Sequence, residues 1–337
     1  MQWENFLDAK EYGSLIKIGP ATKMALLAHY VKGWHLTARR LLLSRVPRIL
    51  LSTSLRLAWI DALFVSYLRH AGVNVAMLVH RPYYADAVGG WRRKPISVIF
   101  DKSTALVVLS KYVRQVILEN FTVEKDKVKV VPVPYYRELL KARAEDSEIK
   151  SSLEQWRQGR PMVVYMSSIL ASHGITDFVN VVPELENRIG NVCFLIMGND
   201  QLEGQSSLAK YARQSLAGKE NVRFQIGFYT LEQAKAVLRQ AAVLLLPYRS
   251  IPQSGVIPFA AGEGVPVVAT RVGGLPEMII EGRNGELAEA GNLAELAEKT
   301  AKVVSLSDEY REHTKAAAEV LFSPETYCAG LTSVASY

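Results

Sequence analysis

Cysteine is nearly missing from this chain. Cys193 and Cys328 are the only two in 337 residues, and neither stands in a C-x-x-C or zinc-ligand spacing. A disulfide-stapled scaffold and a thiolate metal centre are thereby excluded, and a reducing compartment is expected. Long apolar runs are missing as well. Basic residues interrupt every candidate before the roughly 18 apolar residues that cross a bilayer are reached. There is no short-period repeat and no low-complexity tract, which excludes solenoids and fibres. Glu4, Asp8 and Glu11 at the N-terminus, with no apolar run behind them, predict that it is not a secretory signal. A cytoplasmic protein is the expectation.

Acidic residues are absent from one long stretch. Between Tyr12 and Ile60 there is no Asp or Glu, while Lys17, Lys23, Lys32, Arg39, Arg40, Arg45, Arg48 and Arg56 are all basic. The chain as a whole carries +7, so the remainder is close to neutral. Leu, Trp and Tyr interleave with these cations, as in Leu41-Leu-Leu-Ser-Arg-Val-Pro-Arg-Ile-Leu-Leu51. That mixture suits an anionic lipid surface, and equally a solvated helix face. Nucleic acid is not expected as a partner, since no recognition module accompanies the charge.

What is present is enough apolar residue (49%) to bury two cores, and at about 150 residues per domain the length suggests two domains. From Arg48 onward short apolar runs alternate with helical patterns. Strands are predicted at Ile49–Ser52, Val73–Val79, Ala105–Leu109 and Val128–Val133, with helices at Leu55–His70 and Lys111–Asn120. The polar stretch Ala142–Arg160 reads as a connection. A second series follows, with strands at Met162–Met166, Val192–Met197, Val222–Ile226, Val243–Leu246 and Pro266–Ala269. Helices are predicted between them at Thr176–Arg188, Ser206–Leu216, Leu231–Ala241 and Leu293–Val304. Continuous apolar strands separated by helices imply parallel sheets covered on both faces. The predicted fold is α/β, two Rossmann-like doubly wound domains facing across a cleft, the first of them shortened. The divisions are 1–141, a linker at 142–160, 161–320, and a tail at 321–337.

In such sheets ligands gather at the carboxyl ends of the strands. Leu246-Pro-Tyr-Arg-Ser-Ile-Pro-Gln-Ser-Gly-Val256 runs from a strand into a helix, and Ser254 is a suitable N-cap there. The amides of Ser254, Gly255 and Val256 would then face a phosphate, with Gly255 permitting close approach; the alternative is an ordinary cap. His80 follows a predicted buried strand, where its imidazole would face a ligand or complete the core. Arg249 is an additional cation for phosphate, or a surface residue. Asp86 and Asp101 lie near the same strand ends, without a spacing that makes either a base.

Gly264-Val-Pro-Val-Val-Ala-Thr-Arg-Val-Gly-Gly-Leu-Pro-Glu277 resembles the C-terminal domain of GT-B glycosyltransferases of family GT4, also called glycosyl transferases group 1. Val163-Val-Tyr-Met-Ser-Ser-Ile169 with His173-Gly174, Cys193-Phe-Leu-Ile-Met-Gly198, Val222-Arg-Phe-Gln-Ile-Gly-Phe-Tyr229 and Glu281-Gly-Arg-Asn-Gly-Glu286 are similar to that family's successive motifs, in the same order. Val75-Ala-Met-Leu-Val-His-Arg-Pro82 and Ala105-Leu-Val-Val-Leu-Ser-Lys-Tyr-Val-Arg114 extend the resemblance to the first half, so that it covers roughly residues 48 to 325. The resemblance implies a nucleotide-sugar donor, retention of anomeric configuration, and no metal or other cofactor. It places the base at Phe228 and Tyr229. The phosphates fall at Ser254, Gly255 and Val256 with Ser168, His173 and Arg249, and the donor site also includes Gly198 and Glu277. His80 becomes the group acting on sugar or acceptor, and the acceptor is a glycan or a lipid-linked molecule near the membrane.

Three departures from the family accompany the match. Ile251 and Phe259 occupy the positions of its two glutamates, leaving Glu263 or Glu277 to substitute. Ser168 and His173 stand where it has Arg and Lys. The glycine-rich loop after its first strand has no counterpart before Arg48, with Leu15–Gly19 as a remnant of that strand. Besides an active transferase, a catalytically silent subunit that binds a partner transferase and a nucleotide-sugar epimerase therefore stay open.

Overall fold

The computed structural model describes residues 20–52, 57–80, 90–135, 144–200 and 205–335, so Leu15–Gly19 and Asp86 lie outside the described residues. The chain divides into two compact units, one of residues 1–131 with 328–337, the other of residues 132–327.

In the first unit α1 (Pro20–Leu43) leads to β1 (Arg48–Ser52), α2 (Ala58–His70), β2 (Asn74–Val79), α3 (Gly90–Lys102), β3 (Ala105–Val108), α4 (Lys111–Asn120) and β4 (Val128–Val130). The strands form a parallel sheet in chain order, β1-β2-β3-β4. β2 and β3 are buried along nearly their whole length, which is why they read as unbroken apolar runs. Ser110 caps α4 by accepting from the Val113 amide, and Val113, Val116 and Ile117 turn one face of that helix into the core.

The second unit begins with α5 (Ser147–Arg157), then β5 (Met162–Met166), α6 (Ile175–Ile189), β6 (Cys193–Gly198), α7 (Ser207–Ser215), β7 (Val222–Ile226), α8 (Leu231–Gln240) and β8 (Val243–Leu246). It continues through α9 (Val256–Gly262), β9 (Val267–Thr270), β10 (Gly285–Ala288), α10 (Leu293–Ser305) and α11 (Ser307–Leu321). The last helix, α12 (Pro324–Ala335), carries the chain back into the first unit. The segment read as a linker differs from that reading. Asp146 caps α5 through the Ile149 amide, and Leu153 and Trp156 pack into the second unit's core. Its polar composition hid a helix anchored by only a few apolar side chains.

All strand pairs are parallel, in the order β10-β9-β8-β5-β6-β7. The order reverses between β5 and β8, which makes the sheet doubly wound. Alternation along the strands fills both faces. Met162, Val164 and Met166 enter one core, while Val163 and Tyr165 enter the other. No helix among the described residues is long and apolar enough to cross a membrane.

Candidate functional site

In doubly wound sheets ligands bind at the carboxyl edge where the strand order reverses, and here the loops leaving β5 and β8 are tied together at that edge. The Arg249 and Ser250 amides both donate to the Ser172 carbonyl, at 2.8 and 3.2 Å. Ser167 Oγ lies 2.9 Å from His173 Nδ1 and 2.9 Å from the Tyr248 hydroxyl. The His173 ring tilts against that of Tyr248 with centroids 5.0 Å apart. The Tyr165 hydroxyl donates to the Ser168 carbonyl at 2.9 Å and to the His173 carbonyl at 3.3 Å. Burial pushes both the Tyr165 and Tyr248 phenols above their usual range, so both stay protonated hydrogen-bonding groups at neutral pH.

Two glycines make this packing possible. Gly174 has φ +70°, and a Cβ there would lie 1.6 Å from the Pro247 carbonyl oxygen. Gly198 ends β6, and a Cβ would lie 2.0 Å from the Ser167 carbonyl oxygen. Gly198 thus serves close backbone packing beneath the site. Gly255 is different: it is exposed, its φ is −75°, and a Cβ would meet nothing within 4 Å. The backbone there faces open space.

Three expectations change. Ser254 does not cap α9: no side-chain cap bond forms, and its hydroxyl is buried beside Tyr248 without a hydrogen bond of normal length. The helix starts at Val256, one residue later than read from the sequence, and Ser254 leaves the amides of that turn unoccupied by its own oxygen. Arg249 is no isolated cation. Its guanidinium pairs in bidentate fashion with the buried Asp177 in the first turn of α6, which tethers the β8 loop to that helix. Glu263 cannot stand in for the missing glutamates, because its largely buried carboxylate is taken by Arg239 at 2.7 Å and Lys235 at 4.0 Å, both on α8. Ile251 and Phe259 pack against the apolar core.

The other positions fall on neighbouring loops. Phe228 projects after β7 at 79% exposure, while Tyr229 beside it rests on the core. Glu277 closes the 3₁₀ turn Leu275–Glu277 after β9 and is exposed. Ser168 is half-buried directly after β5. Ser168, His173, Gly198, Phe228, Tyr229, Arg249, Ser254, Gly255, Val256 and Glu277 therefore all sit at or just beyond the carboxyl ends of second-unit strands. His80 belongs to the first unit, directly after β2, with Nε2 3.1 Å from Ser52 Oγ at the end of β1. Asp101, near the end of α3, pairs with its neighbour Lys102 at 3.5 Å. Ser167 and Tyr248, the centre of the network, escape sequence reasoning. Their 81-residue separation shows no pattern, and only the position of each just after an apolar run hints at a strand end.

Residues 160–305 match the model of the family described as glycosyl transferases group 1. A 2-deoxystreptamine N-acetyl-D-glucosaminyltransferase of Niallia circulans is 26% identical over 174 residues, 50% of this chain and 43% of the relative. A GDP-mannose-dependent alpha-(1-6)-phosphatidylinositol monomannoside mannosyltransferase of Mycolicibacterium smegmatis is 30% identical over 138 residues, 39% of this chain and 35% of the relative. These matches span less than half the length of either relative. Among solved structures, Anabaena HepE in complex with UDP superposes with a TM-score of 0.74 at 15% identity, over 90% of this chain and 82% of that one. Sucrose-phosphate synthase from Thermosynechococcus elongatus gives 0.75 at 17% identity, over 97% and 81%.

Proposed function

From a chain of GT-B fold whose residues 160–305 match the glycosyl transferases group 1 model, we propose a glycosyltransferase that moves a sugar from a nucleotide-sugar to a glycan or lipid-linked acceptor. The observation that carries this reading is the pair of interlocked loops after β5 and β8, with the unobstructed Gly255 backbone beside them. Support for the donor class comes from the UDP bound by the structural neighbour, and for a lipid-linked acceptor from the relative that acts on a phosphatidylinositol mannoside.

In this reading the base lies against Phe228 and Tyr229, and the diphosphate meets the Ser254–Val256 turn, Ser168 and His173. Ser167 and Tyr248 hold His173 on its Nδ1 side, which orients the ring. The bond from the anomeric carbon to the diphosphate breaks, a bond to the acceptor oxygen forms, and the proton of the acceptor hydroxyl passes to the departing diphosphate. Charge grows on the departing phosphate, where preorganised N–H groups lower the barrier most. Arg249 acts by positioning the loop through Asp177. His80 hydrogen-bonds the sugar or acceptor hydroxyl. We assign retention, independence of metal, and work at the inner face of a membrane to the same proposal.

Thermal-shift measurement with UDP-glucose, GDP-mannose and ADP-glucose tests it. A donor at one hundred times its dissociation constant stabilises the fold by about 2.7 kcal/mol. No shift with any nucleotide-sugar would remove the reading. The apolar Ile251 and Phe259 favour a second reading, a nucleotide-binding subunit without turnover. A thermal shift without product formation in the presence of glycan and lipid acceptors would select it.

A further inference from the structure

The face built by α1 and α2 carries a combination that water does not favour. On α2, Trp59, Leu63 and Tyr67 recur every fourth residue and are all exposed, Leu63 at 70%. On α1, Leu36 and Leu43 are exposed, Leu43 at 73%, and they alternate with the exposed Lys32, Arg39 and Arg40. Arg39, Leu43, Leu63, Phe64 and Tyr67 line one open groove of about 620 Å³ between the two helices, so the two stripes are continuous.

This face is held rigid from beneath. The Tyr30 hydroxyl and the Trp34 indole N–H donate to the buried Asp61 carboxylate at 2.5 and 3.1 Å, and Trp34 stacks on Phe64 at 4.9 Å. Asp61 is the one acidic residue among described residues 20–80, and it is fully buried. No salt bridge among the described residues engages Lys32, Arg39, Arg40 or Arg45.

We propose that this face contacts an anionic bilayer, with Leu36, Leu43, Trp59, Leu63 and Tyr67 entering the boundary between headgroups and acyl chains and Lys32, Arg39, Arg40 and Arg45 lying against anionic headgroups. Charge complementarity chooses the occupant. Phosphate-bearing headgroups neutralise cations that have no salt-bridge partner among the described residues, and the adjoining hydrocarbon takes leucines that a polyanion such as nucleic acid leaves in water. The inference stands apart from the donor-site reading, because vesicle attachment is measured without turnover.

The test is flotation of the full chain with vesicles of phosphatidylcholine alone and of phosphatidylcholine mixed with phosphatidylglycerol. Recovery is expected with the mixed vesicles only. Each cation near such a surface contributes about fivefold in binding, so Arg39→Glu with Arg40→Glu is expected to lower it more than tenfold. Leu63→Asp is expected to lower it at least tenfold as well, and added salt to weaken it without abolishing it. Both variants change exposed side chains, and an unaltered melting temperature confirms their folding. Equal recovery with both vesicle types, or none with either, would overturn the proposal. So would a Leu63→Asp variant that binds like the parent, since the attachment would then be purely electrostatic. Lipid-free self-association in light scattering that Leu63→Asp abolishes would assign the face to a second copy of the chain and overturn it too.

Discussion

Gly255 separates a binding role from a folding role within one residue. Its φ of −75° is open to any amino acid, and a Cβ would meet nothing within 4 Å. Gly255→Ala is therefore expected to leave stability within about 0.5 kcal/mol of the parent. Gly255→Asp should also fold, but it would place a carboxylate where the donor phosphates are proposed, and nucleotide affinity is expected to fall at least a hundredfold. Isothermal titration of both variants checks this; an Asp variant that binds as the parent does would move the phosphates elsewhere. Gly174 is the opposite case. With φ +70° and the Pro247 carbonyl 1.6 Å from a Cβ, Gly174→Ala should cost at least about 2 kcal/mol and part the β5 and β8 loops. Denaturant unfolding reads the first effect and nucleotide titration the second.

Among the elements, β10 shows how a charge holds an edge strand. Glu286 is buried on it and accepts from Lys302 at 2.6 Å, Lys299 at 3.0 Å and the Tyr310 hydroxyl at 2.5 Å. Burial alone would push its carboxyl up, but the hydrogen bonds outweigh burial and hold it at about 2, against an ordinary 4.5. A carboxyl depressed in the folded state contributes stability that is complete above 4.5 and is lost as pH falls from there toward 2. Glu286→Gln is expected to lose about 1.5–3 kcal/mol at neutral pH and to unfold with a shallower acid dependence across that window. Urea midpoints from pH 7 to pH 3 measure both; an unchanged acid slope would assign the dependence to other carboxylates.

For the whole molecule, the proposed roles divide between units. The residues assigned to the nucleotide all lie in the second unit, and His80 lies in the first. His80→Ala is thus expected to lower turnover at least tenfold, about 1.4 kcal/mol of barrier, while the thermal shift given by a nucleotide remains. Loss of the shift together with turnover would place His80 in donor binding or in the fold.

How much of this was legible in the sequence varied with the range of the forces involved. Met162–Met166 and Val243–Leu246 read with their observed bounds, because a strand buried on both faces must be apolar throughout, and the half-buried edge strand Val222–Ile226 reads with its bounds although Arg223 and Gln225 interrupt it. The order of those strands placed Ser168, His173, Phe228 and Gly255 on loops at one edge. The acid-free stretch before Ile60 is equally plain, though only the tertiary structure leaves the apolar stripe on α2 exposed. Tertiary structure alone decided the rest. Asp177 claims Arg249 across 72 residues, Ser167 joins His173 to Tyr248 across 81, and Glu263 is consumed by α8. α5 and β10 are not legible in the sequence because Leu153 and Glu286 derive their burial from partners distant in the chain. Local patterning determines where strands and helices run, since burial of one face or two is written in neighbouring residues. Which polar groups meet depends on how crossovers order the strands, and hydrogen bonds act only at contact distance.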